Sequence, residues 1–138
     1  MQPRPRQPVA MDLNQVTLPA VDLPASVAFY QRMGFRQIVD SPHYTRFNCP
    51  TGNATFSIHQ ADPPLPEHDL VIYFETTELD ENYLELTRLG IKFSQPPTDK
   101  KWLWREARLI DPAGNVLCLY HAGKNRKFPP WRIDVKEQ

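Results

Sequence analysis

An internal duplication constrains this chain more than any other feature. CPTGNATFSIH at 49–59 and DPAGNVLCLYH at 111–121 place proline, glycine, asparagine and histidine in the same order: Pro50, Gly52, Asn53, His59, then Pro112, Gly114, Asn115, His121. A Pro-x-Gly-Asn run makes a tight turn, because proline fixes φ and glycine or asparagine accepts positive φ. The apolar run after each turn reads as a strand. The flanks repeat too. NQVTLPAVDLPASVAFYQRMGF and LVIYFETTELDENYLELTRLGI each run from a β-rich start through a helical pattern to a glycine and a large apolar residue. Gly34 lies 19 residues after Gln15, and Gly90 lies 19 after Val71. Two copies with so long a period do not make a solenoid. They make two halves that close on one another around a shared core.

At 138 residues the chain forms one compact domain, able to bury a core without disulfides or metal staples. The formal charge is zero and no basic stripe occurs, which argues against nucleic acid as a partner. No apolar run reaches the about 20 residues a membrane helix needs. MQPRPRQPVA lacks the apolar core of a secretory signal and reads as a disordered, proline-rich arm over 1–11. Cys49 and Cys118 stand in no CxxC spacing; reduced thiols in a cytoplasmic protein are the expectation.

Module one spans 12–60. Its first strand runs from about Leu13 to Val21. Asp22 is placed to cap the following helix, with Pro24 in the first turn. Ala25, Phe29 and Met33 form its apolar stripe, and Gly34 ends it. FRQIVDS, HYTRFNC and NATFSIHQ read as three strands. A linker follows at 61–68. Module two spans 69–122. Leu70, Ile72 and Phe74 alternate with Val71, Tyr73 and Glu75 at strand period. Thr77 and Asp80 resemble a capping box. Leu79, Tyr83, Leu86 and Leu89 make the helical face. IKFS, WLWREARLI and NVLCLYHAG read as strands, PPTDKK as a loop, and 123–138 as a polar tail with Trp131 as an anchor that caps the domain or a dimer partner.

The order βαβββ–βαβββ resembles the vicinal oxygen chelate superfamily, which includes glyoxalases, bleomycin-resistance proteins and extradiol dioxygenases. VDLPASVAFYQRMGF resembles that family's "D-L-x-x-S-x-x-F-Y-x-x-x-G-F", and REARLIDPAGNVLCLY resembles its "D-P-x-G-N" hairpin and last strand. The resemblance covers about 12–122. It implies an α+β fold of two βαβββ modules whose curled mixed sheet forms an open barrel, with helices on the outer face. It also implies a homodimer and a pocket for a small organic molecule. Metalloenzymes of the family take ligands from four strands. The matching positions here are Gln15, Ser57, Val71 and Cys118. Only Gln15 is a usual ligand type there, and valine has no donor, so no metal site is expected.

Polarity sorts the strand faces without the family. Helices cover the apolar face, which leaves the other for a cavity. The apolar sets are Val16 and Leu18; Phe47; Phe56 and Ile58; Leu70, Ile72 and Phe74; Ala107 and Leu109; Leu117 and Leu119. The opposite sets hold the candidate ligand-binding residues: Gln15, Tyr44, Arg46, Ser57, His59, Tyr73, Trp104, Arg108, Cys118 and Tyr120. Tyr44, Tyr73, Trp104 and Tyr120 can stack on a flat ligand, and Arg46 and Arg108 can anchor an anion. An ungapped match of the two turn-strand repeats pairs Phe56 with Cys118, whereas alternation pairs Ser57 with Cys118. A one-residue difference, expected as a bulge, reconciles them.

His59, Glu75 and Glu106 are the acid–base candidates. Each has a structural alternative: a histidine hydrogen-bonded at the rim, or carboxylates paired with Arg46 or Arg108. Cys118 is expected to be inert unless a base lowers its pKa. His121 falls on the apolar side by alternation. The leading function is metal-free binding of a small organic ligand in the barrel cavity. The alternatives are a lactoylglutathione-lyase-like or isomerase-type enzyme with a divergent site for Ni, Zn, Mn or Fe, and a structural or partner-binding dimer with a filled barrel. Whether any reaction is catalysed stays open.

Overall fold

A computed structural model describes residues 9–133. The expected arm therefore lies largely outside the described residues, as does the end of the tail. Module one runs β1 (Gln15–Ala20), α1 (Leu23–Arg32), β2 (Arg36–Ser41), β3 (Tyr44–Asn48) and β4 (Thr55–Gln60). Module two runs β5 (Val71–Glu75), α2 (Leu79–Arg88), β6 (Phe93–Asp99), β7 (Arg105–Ile110) and β8 (Val116–His121), followed by a short 3₁₀ helix, Gly123–Arg126. Each module folds into a four-stranded mixed sheet, ordered β1-β4-β3-β2 and β5-β8-β7-β6. The first strand of each pairs parallel to the last, and the other pairs are antiparallel. The two sheets are not closed into a barrel.

The helix ends show why the two halves match. The Asp22 carboxylate accepts from the Ala25 N–H at 3.1 Å, and Pro24 occupies the first turn without losing a bond. At its C-terminus, Gly34 has φ +101°; its N–H donates to the Gln31 carbonyl while the Phe35 N–H donates to the Tyr30 carbonyl. Gly90 repeats this at φ +94°, with bonds from Gly90 to Thr87 and from Ile91 to Leu86. Both ends are Schellman motifs, which need a residue that tolerates positive φ. Phe35 and Ile91, the residues just after, are both buried.

The apolar faces of both sheets and both helices form one core. Phe56 and Phe74 meet across the modules at 6.0 Å between ring centroids, and Phe35 and Phe74 at 5.0 Å. Val16, Leu18, Phe47, Phe56, Ile58, Ile72, Phe74, Ala107, Leu109, Leu117 and Leu119 all belong to it, as alternation predicts. Leu70 does not; it precedes β5 and is exposed.

Several expectations change. The buried stripe of α1 is Leu23, Ser26, Phe29 and Tyr30, rotated from the Ala25 line, because the helix also faces module two. The α2 cap is not a Thr77–Asp80 box. Thr76 Oγ1 instead accepts from the Glu78 N–H and the Asn82 side-chain amide. PPTDKK is not all loop: Pro96 to Asp99 continue β6, an edge strand with two register shifts, where a missing N–H is tolerated. Strand β7 begins at Arg105 rather than Trp102. Trp131 is 58 % exposed and so does not anchor the tail on its own domain. The one-residue difference between the repeats is real, but it sits in the turn and not in a bulge. Cys49 N–H reaches the Ala54 carbonyl, while Asp111 N–H reaches Asn115, one residue sooner. Register then makes Ser57 and Cys118 equivalent, opposite Thr17 and Tyr73.

Candidate functional site

The polar faces carry the predicted residues, and each face is wired within its own module. On module one, the Gln15 amide donates to Ser57 Oγ at 2.7 Å and accepts from the Thr55 hydroxyl. Tyr44 Oη and Ser57 Oγ share a hydrogen bond of 2.5 Å, and Arg46 Nε donates to Tyr44 Oη at 2.9 Å. The Ser57 bond, with help from Arg46, lowers the Tyr44 pKa below the ordinary tyrosine value. Arg46 therefore pairs with a phenol and not with a carboxylate. His59 is exposed at the end of β4, and its Nδ1 lies 3.2 Å from the Gln60 carbonyl. That is a rim position.

On module two, Trp104 and Tyr120 stack at 4.7 Å with 26° between their planes, and Tyr73 stands edge-on to both. Arg108 lies beside them, 3.4 Å from both the Tyr73 hydroxyl and a Glu106 oxygen. Glu106 is 1 % exposed, and its other oxygen accepts from the Trp102 indole at 2.7 Å. By sequence Trp102 is expected to open the WLWREARLI strand; the structure places it in the turn before β7. Burial, then the nearby Glu106, pushes the Cys118 thiol up to about 12. The thiol stays protonated near neutral pH and is a poor nucleophile. Arg46 and Arg108 are equivalent: each stands opposite the matching β4 or β8 residue, Ser57 or Cys118.

Glu75 performs a structural task. Its Oε2 accepts the N–H groups of Ala122 and Gly123, both at 2.8 Å, and Oε1 lies 3.6 Å from Arg126 Nε. Together with the Trp104 indole, which donates to the Asn125 carbonyl, it fastens the 3₁₀ helix to the sheet. The folded domain thus continues past 122. His121 is not on the buried side as expected. It is exposed at the strand end, with Nδ1 4.0 Å from Glu75.

The four family ligand positions do not match a divalent metal. Gln15 and Ser57 are hydrogen-bonded to each other, Val71 offers no donor, and the Cys118 thiol is held protonated. Among the described residues no group of three or more His, Cys, Asp or Glu could hold a metal ion.

A cavity of about 790 Å³ lies elsewhere, along the seam between the modules. It is lined by the α1 C-terminus, the turn at 49–54, and by β5 and α2. All five residues of β5, Val71–Glu75, and Thr76 after it reach the cavity. Neighbours on a strand point to opposite faces, so the cavity runs along the free edge of β5. Of the predicted ligand-binding residues, only Gln15 and Tyr73 border it. The other end of the seam is shut. Asp111 Oδ2 accepts from the Tyr30 hydroxyl at 2.6 Å and from the Asn115 amide at 2.8 Å, and Asp111 Oδ1 accepts the N–H groups of Ala113 and Asn115. The same Asn115 amide donates to the Pro19 carbonyl of module one. Burial, reinforced by Asp111, raises the Tyr30 pKa well above the tyrosine range. Both motifs stood out in the sequence; their meeting did not, since it joins residues 81 apart.

A model of the Glyoxalase/Bleomycin resistance protein/Dioxygenase superfamily matches residues 12–119. No curated protein sequence matches the chain. Among solved structures, the chain is similar to a glyoxalase/bleomycin resistance protein/dioxygenase from Nocardioides, with a TM-score of 0.72 and 22 % identity over 94 % of this chain and 93 % of that one. It is similar to lactoylglutathione lyase from Agrobacterium tumefaciens, with a TM-score of 0.66 and 22 % identity, covering 81 % and 94 %. It is also similar to a bleomycin-binding protein complexed with bleomycin, with a TM-score of 0.66 and 22 % identity, covering 80 % and 98 %. At these identities the likeness shows the fold. Among the described residues no helix is long and apolar enough to cross a membrane.

Proposed function

The chain belongs to the Glyoxalase/Bleomycin resistance protein/Dioxygenase superfamily, and from that premise we propose that it binds a small organic molecule on its polar sheet faces, without a metal ion and without chemistry. The observation that carries this reading is the module-two face, where a stacked Trp104–Tyr120 pair, an edge-on Tyr73 and Arg108 stand together. Aromatic area beside one anchored cation suits a flat ligand that bears an anionic or strongly accepting group. Gln15, Tyr44, Arg46 and Ser57 supply matching polar contacts from module one, and His59 stands at the rim. The Cys118 thiol is held protonated and the Glu75 and Glu106 carboxylates are engaged, which leaves no activated nucleophile on the faces. The bleomycin-binding protein, which shares this fold, supports a small organic molecule as the ligand class.

We further propose that the working unit is a homodimer. The exposed Trp102 and Leu103 beside the face, and Phe128 and Trp131 in the tail, are the apolar surface such a partner would cover.

Elemental analysis after extended dialysis, with thermal melts in Ni²⁺, Zn²⁺, Mn²⁺ and Fe²⁺, tests the metal-free reading. No bound metal and no stabilisation are expected. A stoichiometric metal, or a rise in Tm of the kind mass action produces, would sink it and revive the lyase alternative. Quenching of tryptophan fluorescence by bleomycin and other planar compounds, lost in Arg108→Ala, then tests the face itself.

A further inference from the structure

The seam cavity shares only Gln15 and Tyr73 with the polar-face candidates, and its charge pattern is uneven. Three charged side chains border it: Arg32, Glu75 and Glu85. Both carboxylates are engaged elsewhere. Glu75 holds the N–H groups of Ala122 and Gly123 and faces Arg126. Glu85 makes a two-pronged bond to Arg88, at 2.5 and 3.0 Å. Arg32 has neither a carboxylate within salt-bridge distance nor a hydrogen-bond acceptor among the described residues.

The duplication explains why. Arg32 and Arg88 occupy equivalent helix positions, two residues before Gly34 and Gly90. Three residues earlier, α2 carries Glu85, while α1 carries the buried Phe29. The arginine of α1 therefore lacks the i–3 carboxylate that its counterpart has. Its guanidinium reaches across the seam instead, so close to α2 that a Cβ built on Gly90 would sit 3.4 Å from Arg32 Nη1. Behind it the walls are apolar: Met33, Phe35, Phe74, Leu86 and Leu119. A volume of about 790 Å³ lies in the range of small-molecule sites, about 300–1,000 Å³.

We propose that this cavity is a second ligand site, which takes an amphipathic monocarboxylate with its apolar body along β5 and α2 and its carboxylate on Arg32. A guanidinium with unspent donors at the mouth of an apolar cavity selects a planar anion through paired N–H···O bonds. The unpaired edge of β5 adds backbone donors along the same wall. A dianion is disfavoured by the Glu75 and Glu85 carboxylates that also border the cavity, and a cation by Arg32.

The test is calorimetric titration of the full chain with 4-phenylbutyrate and with 4-phenylbutanol, which share an apolar body and differ in head group. The carboxylate should bind at least about tenfold more tightly than the alcohol, the scale of a charge-assisted bond. Arg32→Gln, a change at the exposed last turn of α1, should remove that preference. Leu86→Trp, which fills the cavity, should abolish binding of both compounds. Repeating the titrations in an Arg108→Ala background removes the polar-face anchor, and the preference for the carboxylate, with its dependence on Arg32, should persist there. Equal affinity for acid and alcohol, preference retained in Arg32→Gln, or no binding of the carboxylate would overturn the proposal. Should Leu86→Trp fail to fold, the head-group comparison and Arg32→Gln decide it alone.

Discussion

The two ends of the seam are the same junction built twice, once closed and once open. At the closed end, Tyr30 of α1 meets Asp111 and Asn115 of the module-two turn. At the open end the equivalent helix residue is Leu86, and the equivalent turn residues are Cys49 and Asn53. A leucine cannot donate to a thiol, and Asn53 is exposed where Asn115 is buried. The longer module-one turn also displaces its asparagine from the position that reaches across. The difference teaches that duplication repeats backbone devices faithfully and long-range side-chain latches only by selection. Schellman caps, the parallel β1–β4 and β5–β8 pairs and the Pro-x-Gly-Asn turns are local, so each copy keeps them. The latch needs four residues from both copies, and the half that lost it holds a cavity.

The largest effect that can break this comparison is expected at Asp111. Asp111→Ala leaves the Tyr30 hydroxyl, the Asn115 amide and two backbone N–H groups without their acceptor. Each such buried donor costs about 1–3 kcal/mol, and partial hydration limits the sum to about 3–5 kcal/mol. Cys49→Ala, at the equivalent position, removes only a half-buried thiol and should cost about 1 kcal/mol or less. Urea denaturation of both variants checks this. Equal losses would mean that the latch is no stronger than the open junction.

Tyr30→Phe is expected to cost about 1–2 kcal/mol, because Asp111 keeps its other donors. It also carries a pH signature. Burial and Asp111 raise the Tyr30 pKa above its unfolded value. The native state therefore favours the protonated phenol, and its stability contribution is complete below the unfolded tyrosine value of about 10. That contribution is lost progressively as pH rises beyond this value. Thermal melts from pH 8 to pH 11 should show a steeper alkaline decline in the parent than in Tyr30→Phe. Parallel curves would show that Tyr30 is not the buried phenol described. Rebuilding the latch sharpens the comparison further. Leu86→Tyr and Cys49→Asp should each destabilise alone by burying an unmatched polar group. The double variant should recover about 0.5–2 kcal/mol relative to their sum, through the new pair. It should also lose 4-phenylbutyrate binding as the cavity closes.

These contrasts mark where the sequence was legible. The Asp22 cap, the glycine helix ends and the apolar strand faces depend on chemistry within a few residues or on strict period-two alternation, and those signals are in the string of letters. The α2 start was misread because its N-cap is Glu78, whose side chain makes no cap bond, while Thr76 and not the adjacent Thr77 accepts the Glu78 N–H. Strand β6 was cut short because proline reads as a breaker, and only its edge position makes Pro96 and Pro97 harmless. Most of the polar-face residues could be chosen from alternation. Their wiring could not, since Gln15 with Ser57 and Trp102 with Glu106 need the register and a turn. The seam was invisible, because no local pattern says that Tyr30 meets Asp111 while its counterpart Leu86 packs in the core without a polar partner.

The smallest predicted effect tests where the copies should agree. Gly34 and Gly90 both sit at positive φ in the same cap, at +101° and +94°. Replacement by alanine forces a Cβ into the left-handed region, which costs about 1–2 kcal/mol. At Gly34 the new Cβ would meet only Pro50 Cγ at 4.0 Å, an ordinary contact. At Gly90 it would meet Arg32 Nη1 at 3.4 Å, the far end of a flexible side chain that can move aside. The two variants should therefore fall within about 0.5 kcal/mol of each other in urea. Gly90→Ala alone should also weaken 4-phenylbutyrate, since the displaced guanidinium is the proposed anchor. A large stability gap between them would show that the seam reaches into the helix caps, and that the two modules differ even in their local devices.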